Sequence, residues 1–125
     1  MTEVIKLDDL KSALNRLKEG LADVKNDLDR DGIIQRFEFT FELVWKAIQE
    51  YAKYKGLEVA SPRDSFRVAA DLKLITNPEI WFKFLKDRNE STHLYSEGQA
   101  IKIYGDVPAF IKETEKLLEK ISSEN

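Results

Sequence analysis

Ile33-Ile34-Gln35-Arg36-Phe37-Glu38-Phe39-Thr40-Phe41-Glu42-Leu43-Val44-Trp45-Lys46-Ala47-Ile48-Gln49-Glu50-Tyr51 is the stretch on which the fold turns. Phe37, Phe39 and Phe41 alternate, as residues on a half-buried strand do. Over the longer window Ile34, Phe37, Phe41, Val44, Trp45, Ile48 and Tyr51 recur at helical spacing, and a run of this length favours a helix. Phe39 and Leu43 fall on a second side of that helix. A helix that is apolar on more than one side is covered on more than one side. In a chain this small a second subunit is a natural cover, so Phe39, Leu43 and Trp45 are interface candidates. Glu38, Glu42 and Lys46 form a polar ridge, with Glu42 ahead of Lys46 in the favourable order for a helical ion pair.

Upstream, Leu7, Leu10, Leu14, Leu17, Leu21, Val24 and Leu28 step by three and four. That spacing predicts one amphipathic helix, with Asp31-Gly32 as the turn after it. Downstream, Lys55-Gly56 fits a helix stop. Ser61-Pro62-Arg63-Asp64 and Asn77-Pro78-Glu79 are start signals, each a capping side chain followed by proline at the first helical position. Phe66, Ala69, Ala70 and Leu74 supply the buried side of the first of these segments. Ile80, Trp81, Phe84 and Leu85 supply that of the second. A break is expected around Ser91 to Ser96, with Ser96 as a cap. From Glu97 onward Ala100, Ile101, Tyr104, Val107, Ile111, Thr114, Leu118 and Ile121 predict a last long helix. Pro108 lacks an amide and crowds the carbonyl of Tyr104, which predicts a kink or interruption near Gly105-Asp106. The expected architecture is all-α: a single domain over residues 1–125, an antiparallel, up-and-down bundle of about five helices.

Composition narrows the function. The 125 residues contain no cysteine, which removes disulfides and thiolate metal sites. One histidine and scattered acids make no recognisable metal site, and no glycine-rich phosphate loop is present. The net charge of −3 lacks the basic balance of a general duplex binder, so any nucleic-acid contact must come from a local patch or a second subunit. No apolar run is long enough for a membrane span. The opening Met1-Thr2-Glu3-Val4-Ile5-Lys6 lacks the pattern of a secretory signal, so a cytoplasmic location is expected.

The candidate chemistry lies in Arg88-Asn89-Glu90-Ser91-Thr92-His93-Leu94-Tyr95. The plain alternative is that His93 closes a helix junction. Its neighbours argue for more. Arginine grips phosphate oxygens through paired donors. Imidazole takes and returns a proton near neutral pH. Asn89 and Thr92 add supporting polar groups, and Tyr95 a phenol. Together they suit phosphodiester chemistry without metal, with His93 as general base or acid and Arg88 stabilising charge on phosphorus.

Phe37-Glu38-Phe39-Thr40-Phe41-Glu42-Leu43-Val44-Trp45-Lys46, Ser61-Pro62-Arg63, Trp81, Asp87-Arg88-Asn89 and Thr92-His93-Leu94-Tyr95, in that order, resemble the nucleotidyltransferase substrate-binding protein family of the HEPN class. The resemblance runs from Gln35 to the last helix. It implies a helical bundle, commonly homodimeric, encoded beside a minimal nucleotidyltransferase. It also implies similarity to the substrate-binding helical domain of antibiotic nucleotidyltransferases. Members with Arg-x4-6-His often act as ribonuclease toxins. Where the motif is Arg-x4-His-x-Tyr, the partner transfers AMP to the tyrosine and acts as antitoxin. Carried onto this chain, Arg88 and His93 would be the nuclease residues and Tyr95 the modification acceptor. ATP and Mg would belong to the partner nucleotidyltransferase, with no cofactor in this chain. RNA would be the target. The second reading is a non-catalytic subunit that presents a substrate or nucleotide to the transferase.

Overall fold

The phenylalanine alternation resolves as helix. The computed structural model describes residues 5–93 and 96–124, and among them there are five helices and no strand. They are α1 (Asp8–Leu21), α2 (Asp27–Tyr54), α3 (Pro62–Asp71), α4 (Pro78–Ser91) and α5 (Glu97–Glu124). Phe37, Phe41, Val44, Ile48 and Tyr51 are buried on α2, while Phe39 is 62% exposed. A strand would have put all three phenylalanines on one face. The helix separates Phe39 from the other two because successive residues turn by about 100°.

The first turn falls earlier than the leucine pattern predicts. α1 ends at Leu21, and α2 begins at Asp27 and continues through Asp31-Gly32. Asn26 decides the boundary: its Oδ1 accepts the amide of Asp29 at 2.8 Å, a cap worth about 1 kcal/mol. Asp29 in return accepts the amide of Lys25 at 3.0 Å. Leu28, assigned to the first stripe by spacing alone, is exposed. α1 folds back along α2, where Arg36 donates to the carbonyl of Arg16 at 2.7 Å.

The other boundaries follow their local signals. α2 closes at Gly56, whose φ of +83° is open to glycine without cost. There the amide of Leu57 reaches back to Ala52 and that of Gly56 to Lys53. Ser61 Oγ accepts the amide of Asp64, Asn77 Oδ1 that of Glu79, and Ser96 Oγ that of Gln99. α5 is not interrupted at Pro108, contrary to one of the two outcomes expected there. Its buried face is Ala100, Ile103, Val107, Phe110, Ile111, Thr114, Leu117, Leu118 and Ile121, and Ile101 is exposed.

Six aromatic rings from four helices form the centre. Phe110 of α5 meets Phe37 at 4.8 Å, Phe84 at 5.4 Å and Trp81 at 6.0 Å, and Phe66 stacks on Trp81 at 5.1 Å. Phe41 completes the set, 5.7 Å from Phe66. Edge-to-face rings of this kind add to the area they bury. They hold α4 against both α2 and α5, which places the end of α4 where the Arg88 segment begins.

Candidate functional site

α4 ends because its last carbonyls find hydroxyl partners in place of further helix. Ser91 Oγ donates to the carbonyl of Arg88 at 2.7 Å, and Thr92 Oγ1 to that of Asn89 at 3.0 Å. Such local bonds compete with helix propagation. The amide of His93 closes a turn on the carbonyl of Glu90 at 2.9 Å. His93 thus stands just beyond α4, exposed to solvent. Tyr95 and Leu94 lie outside the described residues, and α5 starts two residues later at Glu97.

Arg88 is in the last turn of α4, where a cation complements the free carbonyls. Its guanidinium faces α2. Nη2 lies 2.6 Å from Glu42 Oε1, and Nη1 lies 3.5 Å from Asn89 Oδ1. The second oxygen of Glu42 accepts the indole N–H of Trp45 at 3.0 Å. Glu42 therefore spends both oxygens on Trp45 and Arg88, not on Lys46 as its spacing predicts. Cross-helix geometry has overridden a weak surface pair. Arg88 and Asn89 come together side chain to side chain, whereas Thr92 serves the backbone. Of the interface candidates, Phe39 is exposed, and Leu43 and Trp45 are half-buried.

One cluster beside Arg88 is not announced by any local sequence motif. Asp87 is wholly buried. Its Oδ1 accepts Lys102 Nζ at 3.0 Å, and Asp106 on α5 pairs with Lys83 at 3.1 Å. The remaining oxygen of each acid is buried with no hydrogen-bond donor facing it, and each carboxyl acts on the titration of the other. Burial, followed by the neighbouring Asp106 carboxyl, pushes Asp87 up to about 7. Burial acts upward on Asp106 too. The neighbouring Asp87 carboxyl and the bond from Lys83, with the charges of Lys83 and Lys102, outweigh it and hold Asp106 below the usual carboxylate range. Asp87 keeping its proton beside an ionised Asp106 accounts for the opposite directions. A signal was available: Asp87 lies three residues after Phe84, and Asp106 four before Phe110, each on a buried stripe.

Arg30 steadies the other side of the junction, 3.7 Å from Glu97 at the start of α5. Among the described residues no group of three or more His, Asp or Glu is arranged to hold a metal ion, and no helix is long and apolar enough to cross a membrane.

The chain is similar to known proteins over most of its length. The sequence family described as "nucleotidyltransferase substrate binding protein like" matches residues 5–123. A protein of known structure from Thermus thermophilus is 34% identical, with a TM-score of 0.84 over 90% of this chain and 98% of its own. A Haemophilus influenzae protein has a TM-score of 0.83 at 24% identity, over 94% of this chain and 99% of its own. Its structure is described as revealing the fold of a substrate-binding domain of a nucleotidyltransferase. A second similarity in that organism is to "probable ribonuclease HepT", 27% identical over 99 residues, which span 75% of this chain and 68% of the relative.

Proposed function

The chain belongs to the nucleotidyltransferase substrate-binding-protein-like family, and from that premise we propose that it is the helical partner of a minimal nucleotidyltransferase, acting as a HEPN-type ribonuclease toxin. The observation that carries this reading is the Arg88-to-Tyr95 motif at the α4–α5 junction, with Arg88 held and His93 exposed. Similarity to a relative named as a probable ribonuclease supports it.

In the cleavage step His93 takes the proton of a ribose 2′-hydroxyl. The 2′ oxygen attacks the adjacent phosphorus, and the bond to the 5′ oxygen breaks. The products are a 2′,3′-cyclic phosphate and a 5′-hydroxyl, whose proton comes from water or a second imidazole. Arg88 stabilises the charge that builds on the phosphoryl oxygens. Restraint comes from the partner, with its ATP and Mg. The phenolic oxygen of Tyr95 attacks the α-phosphorus of ATP, pyrophosphate leaves, and the phenol loses its proton. The resulting AMP adds an anion within the same short motif as Arg88 and His93, where it competes with RNA for their donors.

The second reading is a non-catalytic subunit that binds a substrate or nucleotide for the transferase. It is favoured by one observation: Glu42 already balances the charge of Arg88, in a chain of net charge −3. Purified wild type is expected to cleave RNA in the presence of a metal chelator, and Arg88→Ala and His93→Ala are expected not to. Equal RNA degradation by all three proteins overturns the nuclease reading. Absence of cleavage in the unmodified wild type selects the second. Intact mass after co-expression with the transferase should show added adenylyl groups that Tyr95→Phe lacks.

A homodimer belongs to the same proposal. The exposed Phe39 lines a groove of about 490 Å3 together with Arg16, Gln35, Arg36 and Thr40, and a second copy would cover its ring. Light scattering at micromolar concentration should report a dimer, and Phe39→Asp should return it to monomer. Monomer alone in the wild type would remove this part of the proposal.

A further inference from the structure

Taking Arg88 as the phosphate-binding group, and so resting on the reading above, we infer that Glu42 and Trp45 are positioning residues that hold its guanidinium ready for the ligand. Each oxygen of Glu42 has its own donor, Arg88 Nη2 at 2.6 Å and Trp45 Nε1 at 3.0 Å. The carboxylate cannot rotate without breaking one bond. Trp45 lies three residues along the same helix, so its bond to Glu42 is internal to α2. The carboxylate is therefore fixed to α2, and the arginine arrives from α4 to meet it. The Arg88 and Glu42 side chains are 34% and 33% exposed, so water screens the pair only in part.

The consequence for binding is orientation. Arginine carries five N–H donors on a long, flexible stem. Glu42 takes one and Asn89 faces another at 3.5 Å, which leaves donors for a phosphate oxygen. A guanidinium already held does not have to be ordered when the ligand arrives. Glu42 also cancels the long-range attraction of Arg88. Recognition at this site then depends on short-range donor geometry, which suits a chain whose net charge repels polyanions at a distance.

The contrary role, a carboxylate that merely competes with phosphate for Arg88, predicts the opposite sign. Removing the charge would then tighten binding and leave turnover unchanged. Glu42→Gln and Trp45→Phe separate the two, provided each keeps its helical circular dichroism. For positioning, both variants should lower kcat on a short RNA oligonucleotide by about tenfold to a hundredfold, with KM little changed. The double variant should be no worse than Glu42→Gln, because Trp45 acts through Glu42.

Side-chain NMR supplies a readout that needs no catalysis. In the wild type the Arg88 guanidinium protons should be resolved by slowed rotation, and in both variants they should merge. Tighter RNA binding with unchanged kcat in Glu42→Gln overturns the inference. Should the wild type not cleave RNA at all, the nuclease reading falls by itself. The NMR comparison then decides, and Arg88 signals identical in all three proteins overturn the positioning role.

Discussion

Phe110→Ala is expected to lower the unfolding free energy by about 3–5 kcal/mol, read from the urea midpoint. Phe110 is fully buried and has ring contacts with Phe37, Phe41, Trp81 and Phe84. Those four come from α2 and α4, so truncation leaves a cavity where three long helices meet. The neighbours are large, rigid rings and cannot collapse into it without leaving their rotamers. Domains of this size have about 5–15 kcal/mol in total, so the variant should be close to unfolding at 37 °C. Phe39→Ala is the control. Its ring is 62% exposed, and in a dilute monomer its loss should change stability by no more than about 0.5 kcal/mol. Equal losses in the two variants would mean that Phe110 is not central to the packing.

Asp87→Asn is expected to remove a pH dependence of stability that the wild type shows between pH 5 and 8. Asp87 of α4 faces Lys102 and Asp106 of α5, while Lys83 pairs with Asp106 and Glu90 acts on Lys102. Burial and the neighbouring Asp106 carboxyl raise Asp87 from 3.8 to about 7. An acid whose folded value is raised holds its proton longer in the folded state. Its stabilising effect is complete below pH 3.8 and is lost as pH rises towards 7. Asp106 moves the other way, so its contribution is present above the usual carboxylate value and fades in more acidic solution. The two windows do not overlap. From pH 5 to 8 the wild type should lose about 2–3 kcal/mol through Asp87. Asparagine mimics the protonated acid: its amide donates to Asp106 and its oxygen accepts from Lys102. The variant should have a flat profile and exceed the wild type at pH 8. A wild-type profile as flat as the variant's would mean that Asp87 is not held protonated by its surroundings. Because Asp87 adjoins Arg88, the same measurement reports how firmly the end of α4 is held.

Helix number and type, most caps and the break before Ser96 were legible in single segments, because periodicity and capping act within a few residues. The phenylalanine run was the hard case, and its length decided it. The first turn was misplaced because leucine spacing continues through Leu21, Val24 and Leu28, while the boundary depends on one side chain, Asn26. The residues of the Arg88 segment could be picked out from their chemistry. Their partners could not. Glu42 stands at a spacing that suits Lys46, and only the packing of α4 across α2 gives it to Arg88. Asp87 and Asp106 are far apart in the chain, and their opposite pKa shifts arise only because two helices bury them together. Local hydrogen bonding and apolar spacing are written in the order of residues. The charge state and orientation of a side chain depend on the dielectric and the neighbours that folding brings to it, and those were decided by tertiary structure alone.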